Sequence, residues 1–520
     1  KQLRGFEGDT LASALLANDQ MLVGRSFKYH RPRGIVAAGP EEPNALVNLG
    51  TAGQFEPNQR ATTTELFDGL NAESQNHWPS LEFDVGAINK YLSRFLPAGF
   101  YYKMFIHPRP FWKHVYEPII RHSAGLGKAP REKDKDTYEH FYAFCDVLGI
   151  GGGVAGLEAA RTAGRSGARV ILLEQTDHWG GRAPVDGGAV EGTPVESFVD
   201  ALVTELSTMN NVEMRTRVMG AGVYDHGYVL GYERLTDHAP QSTGPRHRLW
   251  RIRAGHIITA TGAIERPLSF AGNDIPGVML AASVRDYLVN YGVSVGDRTV
   301  VVTNNDDAYR TAIALVEAGL SVPAVLDARV LPQDSPLMAR AKELGIRVMM
   351  GHAISRVRGA KRVTAVEVCS QAGEGAVLET IACEAVAMSG GWAPVVHLWS
   401  HCGGKLIWDT KLATFRPDVD NPPLGADGHG FVTAAGAAAG FFGLDDILHD
   451  AHAAADGVAT TLGFKLPSDV ASPNAGRQEE APLTPVWLMP QGAGVKLREK
   501  AWLDYQNDVK VSDIRLAAQE

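Results

Sequence analysis

The sequence predicts an α/β chain of two strand–turn–helix units, the first split in sequence by the second. Three observations carry this. The apolar run Asp146-Val147-Leu148-Gly149-Ile150 leads directly into Gly151-Gly152-Gly153-Val154-Ala155-Gly156 and a helix-like stretch, 157–166. The layout recurs in a strand at 299–302, a helix at 308–318 and a strand at 322–326. Two small-residue turns, Ala260-Thr261-Gly262 and Ser389-Gly390-Gly391-Trp392-Ala393-Pro394, mark where the chain leaves the first unit and returns to it. A chain of 520 residues, 45% hydrophobic and 21% charged, can bury more than one core.

In chain order, residues 1–60 read as a small α/β module, with a helix at 10–18 and short strands such as 45–49. Residues 61–140 form an aromatic-rich connection. Its rings crowd between 95 and 116 among Pro97, Pro108, Pro110 and Pro118, which break any long helix, and a basic, polar linker follows at 128–135. The first nucleotide unit is expected over 141–275 and 396–460, the second over 276–395, and a linker over 461–520. The chain starts at Lys1 without Met, and the helix that Ser512-Asp513 would cap meets no stop signal, so a fragment of a longer polypeptide is expected.

The first glycine turn has a chemical reading. Gly151 permits a tight turn, Gly153 lets the backbone approach a pyrophosphate, and Gly156 lets helix and strand pack closely. The helix N-terminus at Val154 and Ala155 offers unpaired N–H groups to the anion. A second strand, 168–173, ends in Glu174, 18 residues beyond Gly156, where a carboxylate accepts from the adenosine ribose hydroxyls and Gln175 follows. Gly180-Gly181-Arg182 supplies a second turn able to fold over a cofactor, and Thr261 and Gly262 close the far end. These features predict a Rossmann-like dinucleotide site.

Its ligand is expected to be NAD, with FAD as the alternative. Flavoproteins of this split layout usually read Gly-Asp where this chain has Ala434-Ala435-Gly436-Ala437, so the hydrogen bond to a ribityl chain is lost at Ala437. That loss costs flavin binding roughly 1.5–3 kcal/mol. In the second unit the glycine turn is replaced by Thr303-Asn304-Asn305-Asp306-Asp307-Ala308, which sets bulk and two carboxylates against a pyrophosphate. The unit is expected to keep its fold and lose its nucleotide.

Composition excludes several classes. A net charge of −9 leaves no overall basic field for nucleic acid. No apolar run is long enough to span a bilayer and the N-terminus lacks a signal-peptide core, so a cytoplasmic protein is expected. Cys145, Cys369, Cys383 and Cys402 are scattered, without metal-site or redox-pair spacing.

A family resemblance rests on Gly24-Arg25-Ser26-Phe27-Lys28-Tyr29-His30-Arg31-Pro32-Arg33-Gly34-Ile35 with Glu41-Glu42-Pro43-Asn44-Ala45, on Pro97-Ala98-Gly99-Phe100-Tyr101-Tyr102-Lys103, and on Asn304-Asn305-Asp306-Asp307-Ala308-Tyr309-Arg310. Over essentially its whole length the chain resembles the α subunit of heterotetrameric sarcosine oxidase. Asp504-Tyr505-Gln506-Asn507-Asp508-Val509 resembles the junction to that subunit's aminomethyltransferase-like, folate-binding half. The resemblance implies an αβγδ enzyme that oxidises the N-methyl group of sarcosine, giving glycine, hydrogen peroxide, and formaldehyde or methylene-tetrahydrofolate. It also implies NAD in α, FAD in β, FMN near the α/β contact and zinc in δ. The fold implied is two Rossmann-like domains of the thioredoxin-reductase and flavoprotein-disulfide-reductase type. They are preceded by a degenerate ferredoxin-like (β-grasp) module similar to the 2Fe–2S domain of amine and opine dehydrogenases, without ligand cysteines before Cys145.

Two clusters need weighing. Arg25, Lys28, His30, Arg31 and Arg33, interleaved with Phe27 and Tyr29, either form a solvated basic loop or clamp an FMN phosphate through Arg31 and Arg33. His449 and His452 lie near Asp445, Asp446 and Asp450 on a probable helix and read as surface residues, so no metal ligand is assigned. No catalytic residue is assigned either. The alternatives in function are an FAD-dependent NAD(P)H reductase, an amine or opine dehydrogenase subunit, and a non-catalytic scaffold holding a structural dinucleotide.

Overall fold

The computed structural model describes residues 1–91, 105, 107–123, 127, 129–330, 335–477 and 479–519. The quoted stretch 97–103 and much of the aromatic segment 95–116 lie outside the described residues. The chain forms two compact units, one of Asp136–Glu265 with Trp392–Glu479, the other of Lys1–Lys135, Arg266–Gly391 and Glu480–Glu520.

The first of these, the glycine-turn unit, is built on a sheet whose five parallel segments run in the order Val212–Arg215, Val170–Leu173, Tyr138–Ile150, His247–Thr259, Val432–Ala434. Val170–Leu173 reads Val-Ile-Leu-Leu and is buried throughout, as a parallel strand covered on both faces requires. The helices Val154–Arg165, Val195–Thr208 and Leu444–Thr461 pack on one face through Leu157, Leu202, Leu206, Leu448 and Val458. Tyr138–Ile150 has 13 residues, not the five expected, because its first half extends the parallel pairing with His247–Thr259, whose other edge carries the antiparallel strand Tyr228–Arg234. That half leaves Tyr138, Phe141, Tyr142 and Phe144 exposed, so it lacks the apolar run that marks a buried strand.

The chain crosses between units nearer 265 and 391 than the expected 275 and 395. The local cause is a two-stranded antiparallel pair, Ala263–Glu265 with Trp392–Pro394, which keeps both legs of the crossing in the glycine-turn unit.

The other unit centres on a five-stranded parallel sheet in the order Val278–Leu280, Ala385–Ser389, Thr299–Thr303, Val325–Asp327, Val348–Met350. Thr299–Thr303 is buried along its length. Ala281–Tyr291 and Asp307–Glu317 pack on this sheet in one core with residues of the N-terminal module, among them Leu11, Leu16, Ile35 and Val47. The module contains the helix Leu11–Ala17, held by a Thr10/Ser13 capping box, and the antiparallel strands Glu56–Arg60, Leu46–Leu49 and Ala72–Ser74. Residues 480–519 belong to this unit rather than forming a free linker. They include the hairpin Trp502–Asp504 with Val509–Lys510 and the helix Val511–Gln519.

Candidate dinucleotide site

The glycines of the first turn divide by cause. Gly151 has φ +108°, and a Cβ there would stand 2.2 Å from the Ala260 carbonyl oxygen. A Cβ on Gly156 would stand 1.8 Å from the Gly151 oxygen, so helix and strand approach too closely for any side chain. Gly153 differs. Its φ of −69° suits any residue, and a Cβ would find nothing nearer than 3.9 Å. The fold does not require glycine there, whereas a pyrophosphate pressed against the backbone would. Gly153 is the N-cap of Val154–Arg165 and caps it with no side-chain acceptor, leaving the first N–H groups to an anion.

Glu174 ends its strand with the carboxylate buried beside the turn. Oε2 accepts from the Gly152 N–H at 2.6 Å, and Oε1 accepts from the Thr176 N–H at 2.8 Å and its Oγ1 at 2.9 Å. A carboxylate offers about four acceptor sites, so roughly one remains for a ribose hydroxyl. Gln175 is exposed, and its carbonyl accepts from Arg234 at 2.9 Å.

Gly180 and Gly181 fold onto the first turn itself. Gly180 N–H donates to the Gly152 oxygen at 2.9 Å, and a Cβ on Gly181 would come within 3.0 Å of Gly153 Cα. Arg182 pairs with Asp186 at 2.8 Å and lies 5.1 Å from the Trp392 ring centroid. Thr261 Oγ1 donates to the Val395 oxygen at 2.8 Å, and Gly262 turns at φ +75°. Gly436 sits at φ +63° over Ala155, and its N–H donates to Asp450 Oδ2 at 2.7 Å; Ala437 follows in the same short turn. Burial raises the Asp450 carboxyl's pKa.

Sequence reasoning missed Asp450 in this role because it is 14 residues from its partner and reads as one acid among several on a helix. It also missed Trp179, whose ring a Cβ on Gly152 would strike at 2.5 Å. His452 is half-buried rather than a surface residue. It packs on the glycine-turn helix, with Nδ1 3.1 Å from Glu158 Oε1 and 3.0 Å from Thr162 Oγ1. Among the described residues no cluster of three metal-ligating side chains occurs.

The second turn carries its own residues where phosphate oxygens would sit. Asp306 and Asp327 share the fully buried Arg329, whose Nη2 donates to Asp306 Oδ1 at 2.7 Å and to Asp327 Oδ2 at 2.6 Å. Tyr309 donates to Asp327 Oδ2 at 2.8 Å. A strap then crosses the turn: Asp306 Oδ2 accepts from the Ala481 N–H at 2.7 Å, and Asn304 Nδ2 donates to the Thr484 oxygen at 2.9 Å. Asp307 pairs with Arg285 at 3.1 Å. The carboxylates are thus compensated rather than bare, and what closes the turn is occupancy by the chain, not the repulsion the sequence suggests.

Arg31 and Arg33 are neither a solvated loop nor an open phosphate clamp. Both are buried, at 4% and 5% exposure. Arg31 Nε donates to Asp508 Oδ1 at 2.6 Å and its Nη2 to the Tyr505 oxygen, with the guanidinium 4.6 Å from the Trp502 ring centroid. Arg33 Nη2 donates to the Tyr505 and Gln506 oxygens at 3.0 and 2.7 Å. Burial, with Arg31 alongside, lowers the Arg33 pKa to about 10. Their partners lie more than 470 residues away in sequence, beyond the reach of any local pattern.

Fold and site together define a two-unit nucleotide-dependent oxidoreductase. Residues 145–419 match the family described as pyridine nucleotide-disulphide oxidoreductase, and the chain belongs to that family. Residues 1–77 match a 2Fe-2S iron-sulfur cluster binding domain. All of the chain aligns at 45% identity with sarcosine oxidase subunit alpha of Rhizobium meliloti, covering 51% of that protein. At 35% identity, 99% of the chain aligns with the sarcosine oxidase subunit alpha of a Corynebacterium, covering 48% of it. The chain spans about half the length of the curated relatives it matches. In fold it is similar to L-proline dehydrogenase from P. horikoshii, with a TM-score of 0.63 at 18% identity, over 100% of this chain and 83% of that one. No helix among the described residues is long and apolar enough to cross a membrane.

Proposed function

We propose that this chain is the dinucleotide-holding part of the α subunit of a multi-subunit sarcosine oxidase, and that it binds NAD at the Gly151–Gly156 turn. The observation that carries the reading is Gly153, an N-cap glycine with ordinary φ and open space, whose missing side chain suits a ligand pressed against the backbone. The buried Glu174 carboxylate supports an adenosine ribose beside it, and the methyl group of Ala437 supports NAD over FAD. The similarity of the whole chain to about half of sarcosine oxidase α subunits supports the substrate class, an N-methyl amine. In that reaction sarcosine, oxygen and water give glycine, formaldehyde and hydrogen peroxide. Where tetrahydrofolate is present, the folate half takes the one-carbon unit instead.

No side chain of this chain is assigned to amine oxidation, which falls to the β subunit with its FAD. The β, γ and δ subunits are the partners in this reading. FMN belongs at the α/β contact, while Arg31 and Arg33 serve to hold the segment 505–508. The test is a sarcosine-dependent peroxide assay on the chain alone and after assembly with β, γ and δ. Turnover only in the assembly supports the reading; turnover by the isolated chain overturns it.

A stand-alone NAD(P)H reductase needs an open second nucleotide turn and an exchangeable cysteine pair. The strap and the Arg329 triad occupy that turn, and burial pushes the Cys145 and Cys383 thiols up to about 12, against easy thiolate formation.

A further inference from the structure

The match of residues 1–77 to a cluster-binding domain meets residues that do not fit a cluster, since the free cysteines are Cys145, Cys369, Cys383 and Cys402. What fills the place is visible. Plant-type 2Fe–2S loops space their ligands as C-x4-C-x2-C, with a fourth cysteine further on. Ala37, Glu42 and Ala45 have that spacing. Ala37, Ala45 and Ala61 are buried, and the Ala61 N–H donates to the Ala45 oxygen at 2.9 Å, which places a fourth position against the third.

The loop closes on one group. The Glu42 carboxylate, 1% exposed, accepts four backbone N–H bonds: Oε2 from Val36 at 2.8 Å and Ala37 at 2.6 Å, Oε1 from Asn44 at 2.7 Å and Ala45 at 2.9 Å. Converging N–H groups from both ends of a ligand loop are what an anionic cluster's sulfurs receive. We propose that the Glu42 carboxylate stands where a 2Fe–2S cluster would sit, an internal anion that keeps the loop 36–45 in the cluster-binding conformation without iron. Tyr287, whose hydroxyl donates to the Ala37 oxygen at 3.0 Å, ties the loop into the larger unit. The module is thereby retained as packing surface, with its electron-carrying centre exchanged for a side chain.

Three measurements on the 520-residue chain test this. In the wild type, the amides of residues 36, 37, 44 and 45 should exchange with solvent on the order of 100-fold more slowly than exposed loop amides. Exchange at loop rates overturns the proposal whether or not any variant folds. Glu42→Gln replaces one acceptor oxygen by a donor facing two N–H groups. It should erase that protection and lower Tm by roughly 5 °C or more, and unchanged exchange and Tm would contradict the lock. The combination Ala37→Cys, Glu42→Cys, Ala45→Cys and Ala61→Cys, incubated anaerobically with ferric iron and sulfide, should take up about two irons per chain and gain visible charge-transfer absorption. A folded four-cysteine variant that binds no iron would show that the loop is not the cluster's place.

Discussion

At the scale of single residues, Gly151 and Gly156 are glycines that the fold needs, and Gly153 is the one that the proposed ligand needs. Gly153→Ala should leave Tm within about 2 °C of wild type, as expected for a helix cap with room for a methyl group, while abolishing retained dinucleotide. Gly156→Ala should instead destabilise the chain, because its Cβ meets the Gly151 oxygen. Thermal unfolding, with nucleotide released on denaturation measured for each, checks both. Arg329 gives the sharpest stability prediction. Arg329→Met leaves Asp306 and Asp327 buried without their shared cation and should cost about 3–5 kcal/mol in unfolding free energy, read from denaturant titration. The turn at Gly151, Gly153 and Gly156 and the strand leading to Glu174 were legible in sequence because glycine spacing and apolar runs mark them within one strand–turn–helix–strand unit. Arg329 was not legible: two residues past Asp327, it reads as an ordinary loop cation until the fold brings Asp306 to it.

At the scale of elements, the parallel strands were legible where both faces are buried and obscure where they are not. Thr299–Thr303 and Val170–Leu173 read as apolar runs, whereas the first half of Tyr138–Ile150 is mostly exposed, with only Glu139 and Ala143 half-buried before Cys145, and passes for a linker. The closing strand Val432–Ala434 is joined to His247–Thr259 by a side-chain bond as well as by the ladder, His256 Nε2 lying 2.9 Å from Thr433 Oγ1. Burial lowers the His256 pKa from 6.5 to about 4. Between these values the unfolded chain binds the proton and the folded chain does not. The imidazole therefore gives its full contribution above about pH 6.5 and loses it as pH falls toward 4, up to about 3 kcal/mol. Denaturant titrations from pH 4 to 7 should show this slope, and His256→Gln should flatten it. An unchanged acid limb in the variant would mean that other groups set it.

At the scale of the whole molecule, the division into two nucleotide-type units was legible from the repeated strand and helix pattern and the two small-residue crossings. The role of the last sixty or so residues was not. They read as a linker, yet 480–484 seal the second turn and 502–513 seat the Arg31 loop, contacts that no local pattern encodes. In the proposed reading, one dinucleotide site works in a chain that has the framework for two. The most direct test is to purify the chain free of partners, record its absorption spectrum, denature it and identify the released nucleotide by mass spectrometry. The account predicts about one equivalent of NAD per chain, no flavin band in the visible blue, and loss of the nucleotide in Gly153→Ala. Released FAD with a flavin spectrum, or an equivalent of NAD that survives Gly153→Ala in a folded chain, would contradict it.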